Sequence, residues 1–167
     1  MFLSGRRLVL VGISAIVGGI IILLPLILTI TLPDLNKVNI TIEKIEYNGL
    51  IEKNSTALLN IFFNINNPTS QALTTSKIDF TLFANGISLG TNTIQYIDIP
   101  VNGRPQLLAN RDSVIHQVIN APITDKKLST DLRNNNGKLQ NINWKVEGSA
   151  IIESVFSSSV KNFIDSW

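Results

Sequence analysis

The chain has no cysteine, one methionine and one histidine, His116. Without thiols there is no disulfide, no cysteine nucleophile and no thiolate metal site. A lone imidazole cannot build a multi-histidine metal centre. His116 also lies mid-strand with no second titratable group close in sequence, so it reads as structural. Gly-x-Ser-x-Gly is missing, as are a glycine-rich phosphate loop and an acidic metal loop. Charge is scarce as well: 16% of residues are charged against 44% hydrophobic, which is no disordered profile. Of the fourteen basic residues, Arg6 and Arg7 account for the whole excess; twelve then face twelve acidic ones. That balance gives no basic surface for nucleic acid. These absences set the expectation of a non-enzymatic protein without cofactor or metal.

What is abundant comes first in the chain. Leu8 to Ile30 is uncharged, and about 23 such residues cross about 30 Å of hydrocarbon with some tilt. The reading is a cytoplasmic N-terminus at 1–7, a transmembrane helix at 8–32 and a linker at 33–37. Arg6 and Arg7 flank the helix on one side and Asp34 on the other, so the positive-inside rule sends the C-terminal part out of the cytoplasm. The implied partner is the lipid bilayer, and the place a cell membrane crossed once. A cleaved signal peptide is the rival, but its apolar region is shorter and ends in a small-residue site. Gly12 and Gly19 stand seven apart without GxxxG spacing, leaving the oligomeric state open. Two sequons, at Asn39 and Asn54, suit an external domain.

The remainder alternates like strands. Val38 to Tyr47 is the first, with a phase slip near Glu43-Lys44 that predicts a bulge. Asn48-Gly49 signals a turn. Thr56 to Asn66 places Asn60, Phe62, Asn64 and Asn66 on a wet face and Ile61, Phe63 and Ile65 on a buried one. Pro68 ends it; Asn64, Asn66 and Asn67 form a hydrogen-bonding ladder for water or a partner's polar groups, or Asn67 bonds its own backbone two residues on, which is the favoured reading. Ser76 to Phe83 buries Ile78, Phe80 and Leu82. Asn85-Gly86 predicts a type I′ hairpin into Ile87–Gly90, continued by Thr93–Ile99. Gln106 to Asn120 is a further strand without a clean polar face. Around it Asp98, Arg104, Arg111 and Asp112 cluster in sequence, as an Arg–Asp pair at a solvated end or as a binding loop.

Thr124 to Asn134 is a helix capped by Thr124 or Asp125, with Leu128 and Leu132 inward and Asn134-Asn135-Asn136-Gly137 as its stop. Leu139 to Ile152 is the last strand. The tail at 153–167 spaces Val155, Phe156, Val160, Phe163, Ile164 and Trp167 like an amphipathic helix. It would pack on its own domain, lie on a membrane or dock on a partner. The fold class is therefore all-β: an immunoglobulin/fibronectin-III-like antiparallel sandwich with one short added helix, behind a transmembrane helix.

A strand ending in Asn-Pro, then Lys77-Ile78-Asp79-Phe80-Thr81-Leu82-Phe83-Ala84-Asn85-Gly86, Ile87-Ser88-Leu89-Gly90 and Trp144-Lys145-Val146-Glu147-Gly148-Ser149-Ala150 form an ordered set. With these pieces the chain resembles the late embryogenesis abundant type 2 family, or WHy (water stress and hypersensitive response) domain, over residues 38–152. The family marker is Asn-Pro-Asn; here Asn67-Pro68-Thr69 replaces its last residue. The resemblance implies a folded sandwich without catalytic residues that protects proteins or membranes in drought, salt or cold. Accessory subunit of a membrane complex and carrier of lipid or another apolar ligand are the alternatives, giving a membrane protein or a lipid as partner.

Overall fold

The computed structural model of the chain describes residues 5–51, 55–134, 139 and 142–167. It divides into two units, Met1–Leu32 and Pro33–Trp167.

The first unit holds α1 (Gly5–Thr31). Its stretch Val9–Ile27 has a mean hydropathy of 2.7 and no buried part, so it is long and apolar enough to cross a membrane. Pro25 lies inside the helix and forfeits one backbone donor there. The side chains of Arg6 and Arg7 lie outside the described residues.

The second unit opens with a short 3-10 turn, Leu35–Lys37, capped by Asp34. The strands follow as β1 (Asn39–Ile51), β2 (Thr56–Asn67), β3 (Leu73–Ala84), β4 (Ile87–Gln95), β5 (Gln106–Leu107) and β6 (Arg111–Pro122). After α2 (Lys126–Asn134) come β7 (Trp144–Glu153) and β8 (Ser158–Ser166). One sheet orders β1-β2-β6; the other orders β4-β3-β7-β8, with β5 paired to β3. Among the described residues every pairing is antiparallel. The two sheets bury a shared core, making the sandwich the alternation predicts.

β2 carries that alternation most cleanly. Ala57, Leu59, Ile61, Phe63 and Ile65 are fully buried, and the residues between them are half-exposed. Phe63 meets Phe80 edge-on at 4.9 Å and Phe163 at 5.9 Å, locking the two sheets together. The predicted bulge is present, with register slipping between Ile42 and Lys44. The predicted hairpin is present too: Asn85 and Gly86 have φ of 51° and 81°, the positive pair a type I′ turn needs. Asp125 caps α2, accepting the Leu128 N–H at 2.7 Å. Leu128 and Leu132 are buried.

Other expectations are corrected. The tail is a strand: β8 pairs with β7 along its length, from Ser158 opposite Glu153 to Ser166 opposite Lys145. Its helical spacing came from Val160 and Ile164, which are exposed, while only Phe163 turns into the core. An open β7 edge offers β8 a full ladder of backbone partners, and that outweighs a weak moment. Asn48-Gly49 is a second irregularity inside β1, which runs on to Ile51. β4 stops at Gln95, short of Ile99. Gln106–Asn120 splits at Leu108–Asn110, where Asn110 takes a φ of 54°. Its second part, β6, is an edge strand, not a central one, and Val114 and Val118 are exposed on its outer face. The last long strand starts at Trp144, not Leu139. The helix stop at 135–137 and the sequon residue Asn54 lie outside the described residues.

Candidate functional site

Asn67 is the last residue of β2 and falls on the inward register, so its amide is fully buried. A buried amide must find partners or cost free energy. Its Oδ1 accepts the Thr69 N–H at 3.0 Å, the local turn expected of Asn-Pro. The Thr69 hydroxyl lies 2.7 Å from the same oxygen. On the other side, Nδ2 is shared among the carbonyls of Leu107 (2.8 Å), Gln71 (2.9 Å) and Leu108 (3.2 Å). One side chain thus ties the end of β2, the loop at 68–72 and β5. The motif Asn67-Pro68-Thr69 is a structural node, and Thr69 fits it because its hydroxyl reaches the oxygen that Asn67 presents.

The charged cluster around the 97–104 loop resolves differently from an Arg–Asp pair. Arg104 pairs with Glu153, whose other oxygen accepts the Ser76 hydroxyl at 2.9 Å. The same guanidinium donates Nε to the Ile99 carbonyl at 2.8 Å and Nη2 to the Ile97 carbonyl at 3.3 Å. Arg104 therefore clamps the loop onto the end of β7. Asp112 accepts Asn66 Nδ2 at 2.8 Å, and Asp98 and Arg111 are exposed. Glu153 escaped the sequence reading because it is 49 residues from Arg104.

The outer face of the three-stranded sheet presents Phe62 between His116, stacked at a ring separation of 5.3 Å, and Lys44, 4.2 Å above the ring. His116 is an exposed stacking partner on an edge strand. Lys44 also bonds Glu46 at 2.8 Å, and that bond holds the Glu46 carboxyl below its usual range. Asn60 and Asn64 flank Phe62 along β2, and among the described residues neither Oδ1 finds a partner. On the opposite sheet a shallow groove of about 260 Å³ runs over Gly148 beside Asp79, Thr91 and Asn162. Among the described residues no group of three His, Asp or Glu could hold a metal ion.

A third feature had no signature beyond apolar residues set among turn formers. At the end of the sandwich where β1 begins, three loops carry exposed Ile97, Ile99, Val101, Leu108, Val155 and Phe156. Register puts them together. Glu153 pairs with both Thr74 and Ser158, Leu107 pairs with Leu73, and Asn67 pairs with Arg111.

No family model and no curated protein matches the chain. Solved structures do share its fold. The solution structure of an Arabidopsis thaliana protein is 13% identical, covering 75% of this chain and 76% of its own, with a TM-score of 0.52. A structural-genomics crystal structure is also 13% identical at a TM-score of 0.52, covering 79% of this chain and 84% of its own. A protein provisionally described as late embryogenesis abundant is 12% identical over 100% of this chain and 91% of its own, but at a TM-score of 0.43 the superposition carries no weight. The shared property is the fold.

Proposed function

We propose that the chain is a single-pass membrane protein whose sandwich, displayed on the outer side, binds or stabilises envelope components when water activity falls. It works without catalysis, in desiccation, salt or cold. The observation that carries this reading is the pairing of an unburied apolar helix, Val9–Ile27, with a well-packed sandwich. The buried Asn67 node adds weight to the resemblance to late embryogenesis abundant type 2 proteins, because it gives that family's Asn-Pro marker a physical role here. A tether holds the sandwich at high effective concentration beside the bilayer, so weak contacts with lipid headgroups or membrane proteins suffice.

The test is survival. Cells expressing α1 alone, with the sandwich deleted in frame, should lose tolerance to drying, salt and cold relative to cells with the whole chain. Equal survival under all three stresses contradicts the proposal.

A further inference from the structure

The proximal end of the sandwich, where β1 begins, has a surface unlike the rest. Among the described residues of the second unit twelve large hydrophobic side chains are exposed, and six of them are at this end. Val155 and Phe156, at the β7–β8 turn, are the most open, at 83% and 74% exposure. Across the three loop stretches, 97–103, 108–110 and 154–157, Asp98 is the single charge. Arg104, next in the chain, is consumed by Glu153. Asp34, Lys37, Arg111 and Asp112 are exposed charges on the rim.

These loops are held, not loose. The Ile99 N–H bonds the Tyr96 carbonyl at 3.0 Å and the Gly103 N–H bonds the Pro100 carbonyl at 2.8 Å. Arg104 fastens the carbonyls of Ile97 and Ile99. At the other tip, Ser154 and Ser157 tie the turn closed through backbone and side-chain bonds, leaving Val155 and Phe156 at its apex. The bonding fixes the backbone so that the apolar side chains point to solvent. An exposed apolar patch with a polar rim on a rigid scaffold marks a docking surface.

We propose that this end seats on a lipid surface, with Ile97, Ile99, Val101, Leu108, Val155 and Phe156 dipping into the headgroup–acyl boundary. The chain itself names the occupant. It enters the second unit at this end, with only Pro33 to Val38 ahead of β1, a covalent reach of roughly 20 Å even when extended. The inference rests on the reading of α1 as a bilayer span and deepens it: the sandwich meets the membrane end-on, through its proximal loops. Low charge with aromatic and aliphatic tips is the chemistry of an interfacial contact.

The absence of cysteine makes the test direct. Full-length variants Phe156→Cys, Val101→Cys, Ser88→Cys and Ile20→Cys, each carrying one environment-sensitive fluorophore, are reconstituted in phosphatidylcholine vesicles containing lipid-borne spin quenchers. Labels at 156 and 101 should be quenched several-fold more than the label at 88, which sits at the far hairpin, and should resist aqueous iodide. Labels at 156 and 101 that behave like the label at 88 overturn the proposal. The label at 20 separates the two readings: if it is quenched while 156 and 101 are not, the span stands and the seated end falls. If none is quenched, both fall. Shielding of 156 and 101 from iodide without lipid quenching also overturns it, in favour of a protein partner.

Discussion

Nδ2 of Asn67 donates to the carbonyl of Leu107 at 2.8 Å, across 40 residues, from a side chain with no exposed surface. The bond joins the last residue of one sheet's central strand to β5, which pairs with the other sheet. Asn67→Ala removes the acceptor of the Thr69 N–H and the amide donor to the carbonyls of Leu107, Leu108 and Gln71, of which the last keeps the Thr69 hydroxyl. The expected loss is about 2–4 kcal/mol of unfolding free energy, a fall in Tm of roughly 10 °C. Asn67→Asp keeps the acceptor but turns a carboxylate toward carbonyls, so it should be at least as damaging at neutral pH. Urea or thermal unfolding of the two variants checks both statements.

Arg104 and Glu153 are partly buried, with side-chain exposures of 13% and 25%, and the guanidinium also serves two carbonyls. Arg104→Met should cost roughly 1–2 kcal/mol after allowance for solvent screening. Arg104→Lys should recover little, because an ammonium cannot span Glu153 and the loop carbonyls together. Faster proteolytic cutting between Ile97 and Gly103 in both variants is the expected local sign.

Gly148 lies against the neighbouring strand and core. A Cβ there would fall 2.4 Å from the Asp79 carbonyl oxygen and 2.7 Å from the Phe163 ring. Gly148→Ala should therefore destabilise by about 1–3 kcal/mol, although alanine restricts the unfolded chain and would stabilise an open site. Chemical denaturation decides the sign.

Asp79 is held below the usual carboxylate range first by its bond to Lys77, at 2.7 Å, and then by the Thr93 hydroxyl, at 2.6 Å. A depressed carboxyl contributes stability that is present above its unfolded pKa and lost as pH falls through the folded one. The acid loss from this group therefore begins below about pH 4, and Asp79→Asn should flatten that limb. Tyr96 behaves oppositely: burial raises its phenol. Stability should fall as pH rises above about 10, where the unfolded chain ionises first. Tyr96→Phe should remove that alkaline component.

The sandwich was legible where one residue type decides one conformation. Alternation in β2 and β3, the Asn85-Gly86 turn, the Glu43-Lys44 slip and the Asp125 cap each depend on neighbours in sequence, and each is where the pattern puts it. The tail was not legible. Val160 and Ile164 are exposed, so their spacing reported surface chemistry, and the state of 158–166 was set by the free edge of β7. The Arg104–Glu153 clamp is long-range for the same reason. Asn67 was half-readable: its local turn follows from Asn-Pro, whereas its hold on Leu107 needs the tertiary fold.

The most direct test of a tethered, outward sandwich is labelling of full-length Ser88→Cys by a membrane-impermeant thiol reagent in sealed, right-side-out vesicles. Full labelling is expected before the vesicles are opened, on protein that alkaline washing leaves in the membrane. Labelling that appears only after detergent would put the sandwich on the cytoplasmic side and contradict that expectation.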